Sequence, residues 1–485
     1  MTAPVADVSP KTPAIRPLLP KRIKLFYGLG AVANGAYGAM GGLAMFFYNQ
    51  IVGVPAATVA LAISLVIFID GFWDPLIGHA SDQTHSRLGR RHPFLIAALL
   101  MLPVAIYFRW HPPEGWQPEH MFWYILGTGL FINLAWSFYE VPSGAMTPEL
   151  APDYHDRTVV LSYRFMLGTM GSGLATILIY GIYLRATPDN PVGQLNPAGY
   201  GPLSLAVTAI VVLFGATMAF GTWRRMVKSK QTAPAAGIGV VEQLRAAAST
   251  LSNRNFLVAL TSGMVAGLST GINGGLGLYF QTFLWELRAS DILILTLLGI
   301  PIPILAGLIA PRVSRLWGKK HATMGLFFAS VAIGQIPMLL KLLGILNLNG
   351  SPWLLVVLAT FSLLSGICSI GGFIIVSSMI ADIVEEVQVK TGRRAEGLLA
   401  TADSLPNKIV NAAAALIPGL MLVFVGFPRQ ARPGAEAMEL ITRVAWVYLP
   451  VISLIYLVSI SIWSFYSLDK DAHERNLDLV DGRNG

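Results

Sequence analysis

Twelve apolar runs succeed one another along the chain, at 26–48, 55–80, 93–109, 121–147, 158–184, 201–222, 254–285, 290–311, 321–343, 352–381, 397–427 and 441–467. About 20 apolar residues suffice for a helix to cross the ~30 Å hydrocarbon core of a bilayer. Backbone polar groups in lipid must be satisfied within the segment, so such runs have to be helical. Composition agrees: charged residues make up only 12% of the 485, against about 25% in an ordinary soluble protein. The lone cysteine, Cys368, excludes a disulfide framework or a multi-cysteine zinc site. The expected fold class is an all-α integral membrane protein with twelve transmembrane helices in two six-helix pseudo-repeats.

Segment 1–25 is polar, Pro-rich and basic and reads as a tail rather than a cleavable signal peptide. With that tail in the cytoplasm, 25 of the 34 Lys and Arg fall in inside segments and seven in outside ones, Arg109 among the latter. The bias places both termini (1–25 and 468–485) in the cytoplasm of a cell membrane, as a multi-pass protein. It also assigns the net charge of +8 to topology, so nucleic acid is not an expected partner. The polar interval 223–253 separates a six-helix bundle at 26–222 from another at 254–467. Pro75, Pro142, Pro301, Pro303 and Pro406 interrupt several spans, which membrane helices tolerate where neighbours re-satisfy the backbone.

A repeat supports the division. Gly78-His-Ala-Ser-Asp82-Gln-Thr-His-Ser-Arg87-Leu-Gly89-Arg90-Arg91-His92 follows the second span, and Gly307-Leu-Ile-Ala-Pro-Arg312-Val-Ser-Arg315-Leu-Trp-Gly318-Lys319-Lys320-His321 follows the eighth, with matched spacing. Asp70 and Asp74 lie four apart on one helix face, in mid-span. Charges there are costly and point to function. Two converging carboxylates persist if a cation sits between them, if one is protonated, or if a basic side chain is near. That is the chemistry of a coupling site; a structural ion pair with Lys408 or Arg164 is the alternative. Trp136 and Glu140, also four apart, suit a sugar, whose C–H face packs on indole and whose hydroxyls donate to carboxylate. Arg164 offers a fixed fork of donors. Lys408 follows Pro406 in the eleventh span and could pair with Asp70 or Asp74. Asp403 reads equally as a site residue or as packing.

The layout is that of the major facilitator superfamily, whose halves rock around a midplane site. More narrowly, Asp70-Gly-Phe-Trp-Asp74-Pro75, Asp82 and Ser86-Arg87-Leu-Gly89-Arg90-Arg91 resemble the signature of the glycoside–pentoside–hexuronide:cation symporters, the family of melibiose permease. Glu140-Val-Pro142 with Asp156-Arg157-Thr158 and Arg164, and Met379-Ile-Ala-Asp382 with Thr391-Gly392-Arg393-Arg394, extend the likeness over nearly the whole chain. The resemblance implies that Asp70 and Asp74 are cation-site carboxylates, with the hydroxyl of Ser137 beside them. It implies that Glu140 and Arg164 are sugar-site residues, and that Lys408 links the two sites. Departures are Trp73 in place of a cation-site amide, Asn34 and Gly35 in place of an adjacent Lys and Asp, and Phe373 in place of a Trp. Losing the first-helix acid disfavours a melibiose-like galactoside and leaves another glycoside, a pentoside or a hexuronide.

The expected activity is therefore symport of such a solute with Na+ or H+, and no further cofactor. A sodium ion would sit at Asp70 and Asp74. Asp82 with Arg87, Arg90 and Arg91, and Asp382 with Arg393 and Arg394, read as cytoplasmic ion pairs that hold the outward-facing state closed inside. An amphipathic cargo such as a lysolipid is a second reading, since Trp73, Trp136 and Phe373 make a more apolar cavity. A membrane enzyme or sensor fits less well: the sequence has no HExxH or GxSxG and no clustered His or Cys, and the paired acids would go unexplained.

Overall fold

The computed structural model describes residues 19–468 apart from 152, 189, 229–252 and 392–395; side chains at 154, 155, 228, 385, 387–391 and 396–405 are also outside the description. Arg393, Arg394 and the side chain of Asp403 thus lie outside the described residues. The described elements are helices: α1 (Lys21–Gly41), α2 (Ala44–Phe46), α3 (Ala56–Gln83), α4 (His92–Trp110), α5 (Pro118–Leu150), α6 (Tyr154–Thr176), α7 (Tyr200–Lys228), α8 (Arg254–Tyr279), α9 (Ala289–Leu298), α10 (Ile302–Leu342), α11 (Pro352–Thr391), α12 (Glu396–Val425) and α13 (Ala435–Ile462).

Among the described residues, ten helical stretches are long and apolar enough to cross a bilayer. One of them, Ala289–Leu342, has 54 residues, about 80 Å of helix and more than two hydrocarbon thicknesses. Gly318 divides it, with φ 72° and ψ 156° inside α10. The N-terminal run, from α1 to Val52, lies outside those ten; a turn at Gly42 separates α1 from α2, after which π-helical turns continue to Val52. Counting that run as one crossing and Ala289–Leu342 as two makes the described helices consistent with twelve crossings. Pro75, Pro142 and Pro406 lie inside continuous helices, whereas Pro301 caps α10 and Pro303 sits in its first turn. Large apolar side chains such as Leu100, Phe165 and Phe424 face outward at 71%, 68% and 80% exposure. Lipid accepts that surface; water would not.

Helix contacts sort the elements into two groups. In the first, α1 packs on α6 and α7, α5 on α3 and α4, and α4 on α7; in the second, α10 packs on α11 and α13, and α8 on α12 and α13. Glycines set the closest approach. A Cβ on Gly35 of α1 would lie 2.0 Å from the Gly168 carbonyl oxygen of α6, and one on Gly171 would lie 2.3 Å from that of Val32. Small residues allow this backbone contact, which in lipid replaces the hydrophobic drive as a source of association.

The repeated turn is present in three dimensions. Gly89 and Gly318, equivalent in the two motifs, both take positive φ, 87° and 72°, which glycine adopts without steric cost. The basic residue after each turns toward an acid on a later helix of its own group. Arg90 pairs with Glu149 at 2.8 Å, and Lys319 pairs with Asp382 at 2.6 Å.

The groups meet chiefly where α3 packs on α12. Away from the chain ends, Gln50 Nε2 donates to the Pro428 carbonyl at 3.1 Å and Ala431 N donates to Gln50 Oε1 at 2.8 Å. At the same end Tyr279 donates to Asn49 Oδ1 at 2.8 Å, and Gln194 Nε2 donates to the Leu287 carbonyl at 2.9 Å. At the opposite end the ion pairs Lys24–Asp156, Arg90–Glu149, Arg91–Asp82 and Lys319–Asp382 each stay within one group. Gly419 of α12 fits flush against α3: a Cβ there would lie 2.3 Å from that of Ala60. Gly419→Leu should therefore wedge this end open. In a Cys368→Ser background, a cysteine placed at Gln50, now 3% exposed, should react several-fold faster with a bulky polar maleimide once Gly419→Leu is added. Unchanged reactivity in a folded variant would mean that this contact does not hold the end shut.

Candidate functional site

Two acid-base clusters share helix α5. In the first, α3 presents Asp70 and Asp74 one turn apart, α5 presents Ser137, and α12 crosses from the other group with Lys408. Ser137 Oγ donates to Asp74 Oδ1 at 2.6 Å and lies 3.4 Å from Asp70 Oδ1. Lys408 Nζ pairs with Asp70 Oδ2 and lies 3.2 Å from Asp74 Oδ2. Asp70 is the buried partner, its side chain 10% exposed against 35% for Asp74 and 30% for Lys408. One ammonium thus faces two carboxylates, and the cluster of three carries a formal charge of −1.

In the second cluster, Arg164 of α6 donates through Nη2 to Glu140 Oε1 and through Nη1 to the Tyr27 hydroxyl at 2.8 Å. Asn34 of α1 donates its amide to Glu140 Oε2. The Tyr27 ring also lies under the guanidinium, 5.7 Å from centroid to Cζ, and its hydroxyl lies 2.6 Å from Thr147 Oγ1. Glu140 is three residues past Ser137 on α5, so the clusters are neighbours on one helix. The amide oxygen of Asn34 and the indole nitrogen of Trp73 are buried with no hydrogen-bond partner among the described residues.

A cavity of about 560 Å³ opens beside the first cluster, lined by Asp70, Lys408, Tyr37, Arg109, Asn133 and Asn411 among others. Both groups of helices contribute to its wall, and its size is that of a small-molecule site.

Several sequence expectations meet their geometry here. The structural ion pair considered for the two aspartates is made with Lys408; Arg164 pairs with Glu140 instead. Trp136 stacks on Tyr37, centroids 4.3 Å apart and planes 24° apart, so one indole face is covered. Phe373 is 51% exposed and makes an edge contact with Phe327; no described hydrogen bond or ring contact joins it to either cluster. Of the loop charges, Arg91 reaches Asp82 at 2.5 Å as expected, but also Glu149 at 3.1 Å. Arg90 goes to Glu149, Asp382 is held by Lys319, and Arg87 is exposed with no ion pair among the described residues.

Two residues were placed differently by sequence, and a third was missed. Arg109, counted as an outside loop charge, sits in the last turn of α4 at 7% exposure. Its guanidinium lies 5.0 Å from the Tyr48 ring centroid and donates to the Ile125 carbonyl at 2.7 Å. Lys24, assigned to the tail, belongs to α1, which begins at Lys21. It is buried against Asp156 at 2.5 Å, while Leu19 N donates to the other carboxylate oxygen at 2.6 Å. Glu149, at the end of α5, was not singled out at all.

A polytopic helical bundle in two packed groups, with charged clusters and a cavity where the groups meet, is an architecture suited to a membrane transporter. The chain belongs to the family described as MFS/sugar transport protein, which matches residues 26–470. It is 25% identical to the uncharacterized symporter YnaJ of Bacillus subtilis, over 95% of this chain and 94% of that protein. It is 23% identical to the isoprimeverose transporter of Lactiplantibacillus pentosus, over 95% and 92%. A match to an uncharacterized symporter of Synechocystis, 29% identical, is local and spans 34% of this chain and 31% of that one. Among solved structures, the nucleoside transporter NupG shares the fold with a TM-score of 0.59 at 15% identity, over 91% of this chain and 98% of that one.

Lys408 offsets repulsion between the aspartates, so Lys408→Gln should lower stability. Loss of one partner from a fully buried pair costs about 3–5 kcal/mol. Partial exposure of Lys408 reduces that to about 1–3 kcal/mol. The double variant Lys408→Gln/Asp70→Asn should recover most of the loss in a thermal-shift measurement. Equal loss in the single and double variants would show that the pair is not energetically coupled.

Proposed function

We propose that the protein is a symporter that couples Na+ or H+ to the entry of a saccharide or a closely related small polar solute, by alternating access. The observation that carries this reading is the charge imbalance at Asp70, Asp74 and Lys408. The net negative charge of these three groups attracts a monovalent cation or a proton and is neutralised on binding it, with Arg109 a further cation in the wall of the same cavity. Lys408 comes from the opposite group of helices, so a cation that competes for its carboxylates also loosens a tie between the two groups. Ser137 supplies an oxygen beside the carboxylates. Among the described residues no three of His, Cys, Asp and Glu converge as a metal site. A sodium ion would thus depend on Asp70, Asp74, the serine hydroxyl and further carbonyl or water oxygens.

Solute binding is assigned to Asn34, Glu140 and Arg164, with Trp136 and Lys408 at the edge of the site. Asn34 keeps a free acceptor and Arg164 free donors, which match sugar hydroxyls. Relatives named as raffinose carrier, isoprimeverose transporter and glucuronide carrier homolog support a saccharide cargo. Phe373 stands apart from both clusters, which removes one support for an amphipathic cargo.

The basic loops support cytoplasmic chain ends. With that orientation, the contacts at Gln50, Asn49 and Gly419 close the outer end, and the described conformation is inward-facing. Asp82, Arg91 and Glu149 on one side, and Lys319 and Asp382 on the other, then organise the inner rims that close when the groups rock the other way. Arg87, Arg393 and Arg394 remain assigned to that closure.

The test is uptake in proteoliposomes under an imposed Na+ or H+ gradient, offering raffinose, isoprimeverose, lactose and a glucuronide. At least one should accumulate above its equilibrium level and leak back when the gradient is dissipated. Asp74→Asn should abolish accumulation while solute exchange without a gradient survives. Undiminished accumulation in Asp74→Asn would reject the coupling role, and transport of a lysolipid but of no saccharide would restore the amphipathic reading.

A further inference from the structure

Several described basic residues at the chain-end side of the bundle are matched to acids or carbonyls: Lys24 to Asp156, Arg90 and Arg91 to Glu149, Lys319 to Asp382, Lys320 to the Ser464 and Tyr466 carbonyls. Three arginines that are not so matched lie together. Arg22, at the start of α1, and Arg224 and Arg225, near the end of α7, line one groove of about 860 Å³ with Phe26, Phe220 and Trp223. All three are exposed, and none makes an ion pair with a described residue. Among the described residues, no carboxylate lines the groove.

The groove is shaped by packing. A Cβ on Gly221 would lie 2.4 Å from Phe26 Cγ, so the glycine lets the Phe26 ring lie against α7. Arg22 covers the outer side of that ring, 5.2 Å from its centroid. Phe220, 65% exposed, continues the wall along α7 toward the apolar part of the span. The helix dipole accounts for the arginines at the end of α7 but not for Arg22, which sits at the positive end of α1 with no acid in the first turn.

Guanidinium groups bind phosphate through paired N–H donors. Basic pockets between helices at the cytoplasmic surface suit anionic lipid headgroups. A soluble anion would make no use of the aromatic wall. We propose that this groove binds the phosphate of an anionic phospholipid, with its acyl chain laid along Phe220 and its headgroup among Arg22, Arg224 and Arg225. The site lies apart from the two transport clusters and uses none of their residues.

The full-length protein, purified in detergent, can be titrated with phosphatidylglycerol, with phosphatidylcholine or with inorganic phosphate and read by native mass spectrometry and thermal shift. Phosphatidylglycerol should stay bound and raise the melting temperature, while phosphatidylcholine and phosphate do neither. Arg22→Gln/Arg224→Gln/Arg225→Gln should weaken phosphatidylglycerol binding by about tenfold or more, which is at least ~1.4 kcal/mol. Arg225→Gln alone should give an intermediate loss, a safeguard if the triple variant folds poorly. Arg312→Gln/Arg315→Gln removes two exposed arginines from the other group and should leave binding unchanged. Undiminished binding in the triple variant, equal loss in the Arg312→Gln/Arg315→Gln control, or equal protection by inorganic phosphate would each overturn the proposal.

Discussion

One ammonium facing two carboxylates is the interaction on which the rest of the account depends. Lys408 stands on α12, and Asp70 and Asp74 on α3, the two helices that carry the main contact between the groups. Buried charge is expensive, and removing one partner costs more than the pair contributes when intact. A cluster with an odd number of charges cannot be satisfied internally, so its state depends on what it binds. Under the proposed coupling role, placing that imbalance at the seam ties cation occupancy to the relation between the two groups.

The surrounding structure keeps the seam adjustable. Within each group, glycines bring backbones into direct contact, as at Gly35 and Gly171, and ion pairs at the helix ends hold the turns. Between groups the ties at Gln50, Asn49 and Gln194 are hydrogen bonds of neutral side chains, which exchange for water at little net cost. The repeated turn, with Gly89 and Gly318 at positive φ and Arg90–Glu149 mirrored by Lys319–Asp382, gives both groups the same rim. Two like bodies that meet along one helix pair and a few neutral hydrogen bonds are suited to rock against each other.

Much of this was legible in the chain itself. Spans follow from apolar length because lipid leaves the backbone no alternative, and Asp70, Asp74, Glu140, Arg164 and Lys408 stand out because charge in a span is rare. What was hidden depended on helix ends and on partners. Arg109 and Lys24 fall within a turn of where apolarity fades, so hydropathy assigns them to loops, although packing buries both. Glu149 looks like an ordinary loop acid until the turn brings Arg90 and Arg91 to it. Trp136 was read as a sugar platform because nothing in sequence announces Tyr37 on its face. The break at Gly318 could be seen only as a basic, Gly-containing turn.

The central claim is that the Asp70–Asp74–Lys408 cluster takes up one positive charge. Electrical recording from proteoliposomes on a solid-supported membrane measures it most directly, by jumping Na+ concentration or pH in the absence of solute. The account predicts a transient charge displacement in the native protein that disappears in Asp74→Asn, where Lys408 and Asp70 are already neutral together. A displacement of undiminished size in Asp74→Asn would contradict it.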